Sequence, residues 1–103
     1  MINMRAFLLE AKSTDTDNET EIEYLQNYQK LNRKRADAEE KIESIYELID
    51  AATTRRNFVQ RDILLQHQEE YYMISIDCEN QMKALEESSV LKSVYEKAIS
   101  KHI

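Results

Sequence analysis

The sequence predicts an all-α fold. It reads as an antiparallel two-helix hairpin of coiled-coil type with short helical ends. Dimerisation or a partner's helix would complete it to a four-helix bundle. Three observations predict this. The 103 residues include no Gly and no Pro, so tight turns that need positive φ are disfavoured and an all-β fold with them. The remaining residues are rich in Glu, Gln, Lys, Arg, Leu, Ala and Met, all good helix formers. Apolar residues then recur by fours and threes from Tyr24 to Ala52, the period of a heptad seam.

Composition bounds the function classes. Charged residues make up 33% and apolar residues 42%, which fits long solvated helices and not a disordered chain. The net charge of −6 disfavours a nucleic-acid binder, which needs clustered Lys and Arg to neutralise phosphate. The one cysteine, Cys78, cannot form an internal disulfide, so no oxidising compartment is required. No apolar run approaches the ~18 residues of a membrane span. Ile2–Leu9 is too short and irregular for a signal peptide, with Glu10 and Asp15 close behind. The expected setting is cytoplasmic, with export independent of an N-terminal signal as an alternative.

Along the chain, residues 1–18 form an N-terminal segment and polar linker. Met1–Lys12 carries Ile2, Met4, Phe7, Leu8 and Leu9 without a clean stripe, as either a short docking helix or a loose terminus. Ser13–Asn18 is the clearest break, full of side chains that bond nearby backbone. Thr16 with Glu19, or Asn18 with Glu21, forms a capping box. Residues 19–87 are the hairpin, with its turn near 50–57; one unbroken helix is the alternative, since the seam continues as Arg56, Val59 and Ile63. Helix one runs from Glu19 to Ala52 along Tyr24, Tyr28, Leu31, Ala38, Ile42, Ile45, Ile49 and Ala52. Arg35 interrupts this seam, as register-setting polar residues do. At the turn, Thr53 and Thr54 offer a cap and Asn57 a left-handed residue. Residues 88–103 form a short helix, Val90–Ile99, after a break at Ser88–Ser89.

Helix two, Arg55–Glu87, carries two apolar stripes where one is usual. Phe58, Leu65, Tyr72 and Ile76 share one face. Leu64, Tyr71, Ile74, Cys78, Met82 and Leu85 share a second. Folding at Thr53–Thr54 sets Ile49 opposite Phe58, Ile42 opposite Leu65 and Leu31 opposite Ile76. Helix one then covers the Phe58 stripe. The stripe of Leu64, Tyr71, Ile74, Cys78, Met82 and Leu85 is left as the expected partner-binding face.

No catalytic constellation appears, and the expectation is a protein that is not an enzyme. Without glycine there is no glycine-rich phosphate loop, dinucleotide fingerprint or nucleophile elbow. Cys78 sits on an apolar face with no basic activator beside it in sequence, the setting of an inert thiol. His67 and Glu70 share a helix face, but one such pair is not the two-fold Glu-x-x-His set of a bundle metal site. No metal or cofactor is expected. Arg55, Arg56 and Arg61 form a basic patch at the hairpin tip, suited to an acidic partner or to ordinary solvation. The six tyrosines suit either seam packing or an interaction surface.

In size, acidity and hairpin outline the chain resembles the small helical proteins of bacterial export systems, both secreted hairpins and cytoplasmic export chaperones. The secreted group carries a Trp-x-Gly turn, and this chain has neither Trp nor Gly. The resemblance implies a secretion-system chaperone or component. The residues themselves point to an adaptor, subunit or assembly factor acting through helix-to-helix burial, with a protein partner or a homodimer. A regulator of a nucleic-acid enzyme or repressor is the third reading.

Overall fold

The computed structural model describes residues 3–12, 16 and 18–101. Met1, Ile2, Ser13–Asp15, Asp17 and His102 of the segments named above lie outside the described residues. The described residues are all-α and form four helices: α1 (Met4–Glu10), α2 (Glu19–Thr54), α3 (Phe58–Glu86) and α4 (Ser89–Ser100).

Each helix end has a local cause. Asn3 caps α1, its side chain accepting from Arg5 N at 2.8 Å. At the start of α2 the later register prevails: Asn18 Oδ1 accepts from Thr20 N at 2.8 Å and Glu21 N at 3.3 Å. Thr16 Oγ1 instead bonds the Glu21 carboxylate. Ser88 caps α4, accepting from Leu91 N at 3.3 Å.

The connection from α2 to α3 is three residues, Arg55-Arg56-Asn57, and falls later than Thr53–Thr54. Both threonine hydroxyls donate back along α2, Thr53 to Ile49 O and Thr54 to Asp50 O, so neither caps a new helix. Arg56 takes the left-handed conformation, with φ 58°. Asn57 N–H donates to Ala52 O at 2.9 Å and Arg56 N–H to Thr53 O at 3.0 Å. This is a Schellman ending, normally built on glycine. Asn57 then caps α3, its Oδ1 accepting from Gln60 N at 3.2 Å.

The chain divides into two compact units, Met1–Asn32 with Glu79–Ile103, and Arg33–Cys78. The first has a closed core. Leu8, Leu25, Tyr28, Met82 and Leu91 are fully buried, and Val94 nearly so. Polar ties bind its helices. Arg5 pairs with Glu79 at 2.9 Å and Glu86 at 2.7 Å, and Lys97 pairs with Glu21 at 2.8 Å. Gln29 Nε2 donates to Leu8 O and Ala11 O at 2.9 and 2.7 Å, satisfying carbonyls that the end of α1 leaves open. Phe7 and Tyr95 rings meet at 5.8 Å. A seven-residue helix is too short to persist alone, so these contacts are what make α1 a helix.

In the second unit α2 and α3 pack along each other. From α2 the buried residues are Ala38, Ile42, Ile45 and Ala52, with Ile49 half-buried, as the heptad seam predicts. From α3 the buried ones are Gln68 and Cys78.

Candidate functional site

The inward stripe of α3 is not the one that folding at Thr53–Thr54 implies. That turn would set Ile42 opposite Leu65. Instead Ile42 O accepts from Gln68 Nε2 at 3.3 Å, three residues further on, and Lys41 Nζ lies 5.6 Å from the Tyr71 ring centroid. The later turn is the physical cause, because α3 starts only at Phe58. The stripe expected to stay open is therefore turned inward. Cys78 and Met82 are buried, and Leu64, Tyr71, Ile74 and Leu85 are half-buried.

The stripe expected to be covered is open. Phe58 is 49% exposed, Leu65 43%, Tyr72 40% and Ile76 53%. Beside them on α2 stands Tyr46, also exposed. Its hydroxyl meets that of Tyr72 at 2.9 Å. This bond across the two helices raises the Tyr72 pKa above its ordinary value, because the neutral phenol is the form that both shares and accepts a proton. One hydroxyl of the pair keeps a proton to donate outward, and both keep lone pairs. The face thus has large exposed apolar side chains around a hydroxyl pair. Leu48, Val59, Ile63 and Met73 are exposed elsewhere on the same unit.

Against this, α2 and α3 bury Gln68, 6% exposed, its amide bonded to Ile42 O. A helix that can place Leu65 inside and Gln68 outside has done the reverse. Local choices that run against burial are expected where a surface has another use.

The tip residues are brought together in part. Arg55 and Arg56 are exposed in the turn. Arg61 is drawn away: its guanidinium bonds Asp62 Oδ1 at 3.0 Å and lies 4.8 Å from the Phe58 ring centroid. His67 Nδ1 stands 3.7 Å from Glu70 Oε2, both well exposed. Among the described residues no group of three or more His, Cys, Asp or Glu comes together as a metal site, and no helix is long and apolar enough to cross a membrane.

Sequence reasoning missed the polar groups that seal the first unit. Arg5 is held more firmly protonated by Glu86 and then Glu79. Glu21 is held below the usual carboxylate range by Lys97 and then by Thr16. Tyr28 is pushed up to about 12, first by burial and then by Glu86. Its hydroxyl is buried without a well-formed hydrogen bond. These partners lie far apart in sequence, so no spacing rule points to them.

Comparison with known proteins finds no matching family model, no matching curated protein and no matching solved structure.

Proposed function

We propose that the protein is a non-enzymatic interaction module that works by helix-to-helix burial. Its α2–α3 hairpin, Arg33–Cys78, offers the Phe58–Leu65–Tyr72–Ile76 face with Tyr46 as the docking surface. The observation that carries this reading is the exchange on α3: Gln68 is buried while Phe58, Leu65, Tyr72 and Ile76 stay in water. A cluster of large exposed apolar side chains on a small acidic protein marks an interaction site more often than it marks idle surface. Paired tyrosines at its centre suit that role, since they bring large rigid area at low entropic cost. Two packed helices with an open seam make half of a four-helix bundle, and docked helices supply the rest. The adaptor or assembly-factor role follows from this surface. A cytoplasmic setting suits a lone buried thiol such as Cys78.

The test places a photo-crosslinking amino acid at Leu65 or Ile76 in the cells that make the protein, with Ser44 as an exposed control. A discrete partner is expected from Leu65 and Ile76 only. Purified, that partner should bind the chain, and Leu65→Glu with Ile76→Glu should weaken binding at least ~100-fold, since two apolar anchors are lost. Equal crosslinking from Ser44, or unchanged binding by the double variant, would refute the reading.

A further inference from the structure

We infer that the docked element is an amphipathic helix of another protein whose apolar stripe is flanked by Lys and Arg, and not a second copy of this chain. The inference rests on the docking face proposed above and specifies its occupant from charge. On α3, Phe58, Asp62, Leu65, Glu69, Tyr72 and Ile76 follow one another by fours and threes, so they lie on a single stripe. Asp62 and Glu69 are therefore set between the apolar residues, and both are exposed. On α2, Glu39, Glu43, Tyr46 and Asp50 follow the same spacing, and all four are exposed. The Tyr46–Tyr72 hydroxyl bond brings these two stripes side by side. The apolar face is thus rimmed by carboxylates from both helices.

The cations nearby offset Asp62 alone and leave Glu39, Glu43, Asp50 and Glu69. Arg61 is paired with Asp62 and lies over the Phe58 ring. Arg35 is half-buried at one end of the α2 stripe. The exposed arginines Arg55 and Arg56 belong to the turn, beyond the end of both stripes.

A two-fold dimer through this face would bring each carboxylate rim against its own copy, because an isologous interface pairs a patch with itself. Like charges so juxtaposed oppose association. A helix with Leu or Ile on one stripe and Lys or Arg beside it meets the same face with every sign reversed. Its long cationic side chains lay their methylene stems on apolar surface while their heads reach the carboxylates. The hydroxyl pair of Tyr46 and Tyr72 offers lone pairs to the same cationic heads.

The experiment uses the full chain and three synthetic helical peptides of about three heptads. All share one Leu/Ile stripe, and they differ only in flanking residues: Lys/Arg, Gln or Glu. Affinity is read by calorimetry at low and high salt, and the mass of the chain alone by sedimentation. The Lys/Arg peptide is expected to bind about tenfold more tightly than the Gln peptide, since rim charges contribute modestly each and add. High salt should erase most of that advantage. The Glu peptide should be weakest, and the chain alone should be monomeric at low micromolar concentration. The variant carrying Glu39→Lys, Glu43→Lys and Glu69→Lys, all at exposed positions, should reverse the order of the Lys/Arg and Glu peptides. Equal affinities of the three peptides would overturn the charge assignment while leaving the face as a docking site. A dimer that Leu65→Glu dissolves would overturn it in favour of a second copy. Binding of none of the peptides, with a monomeric chain, would remove the docking face itself.

Discussion

Gln68→Leu should stabilise the protein. Gln68 is the central α3 residue between the half-buried Leu64 and Tyr71, and it faces Ile42. Its amide donates a 3.3 Å bond to a helical carbonyl, an amide in a seam otherwise lined by apolar side chains. Losing that bond costs about 1 kcal/mol. A leucine of similar volume buried against Ile42 and Ile45 adds about 1.5–3 kcal/mol of transfer free energy, less what the glutamine stem already supplies. The net expectation is a gain of about 0.5–2 kcal/mol, or a few degrees in melting temperature for a domain of this size. Urea denaturation followed by circular dichroism measures it, and amide exchange over α3 locates it. The docking face is untouched by the change, so crosslinking from Leu65 should persist. A loss of stability greater than about 0.5 kcal/mol would show that the Gln68 bond to Ile42 O holds the pair together, and the reasoning about a misplaced polar residue would fail.

Two further outcomes concern the first unit. Arg5→Met leaves Glu79 and Glu86 facing one another without their shared cation; it should cost about 2 kcal/mol and open the amides of α1 to exchange. A loss below about 0.5 kcal/mol with α1 still protected would mean that Leu8 alone anchors the helix. Glu21→Gln tests the pair with Lys97. Because the folded protein lowers the Glu21 pKa from 4.5, the ion pair stabilises the fold above that pH and its contribution is lost as pH falls below it. Lys97 is 61% exposed, so the contribution is under about 1 kcal/mol. The melting-temperature gap between wild type and Glu21→Gln should be steady from pH 7 to about 5 and close at lower pH; a gap of constant size down to pH 3 would contradict this.

The helices were legible because their signals are local. The α2 seam of Ala38, Ile42, Ile45 and Ala52, the Asn18 cap and the Ser88 cap each follow from residues within a few positions of one another. The orientation of α3 was not legible. Two stripes of similar apolar strength compete on it, and the choice hangs on where the turn begins. Thr53 and Thr54 resemble a cap in sequence, yet their hydroxyls find carbonyls one turn back and extend α2. Arg56 then takes a conformation that residue statistics assign to Asn or Gly. A shift of three residues in one turn was enough to exchange the covered and open stripes. The role of α1 was hidden for another reason, since its seven residues acquire their order from Glu79, Glu86, Gln29 and Tyr95.

The Arg55-Arg56-Asn57 connection has an evolutionary consequence. In most surface loops an inserted or deleted residue changes little beyond loop length. Here each residue added or removed would turn α3 by about 100° about its own axis, the angle that separates Leu64 from Leu65 and Tyr71 from Tyr72. A single-codon deletion in the turn would move each α3 residue into its predecessor's place, so Leu65 and Tyr72 would take the inward places of Leu64 and Tyr71 without a change to any residue of either stripe. Relatives with the same helices and a turn of different length would then display a different surface and select different partners.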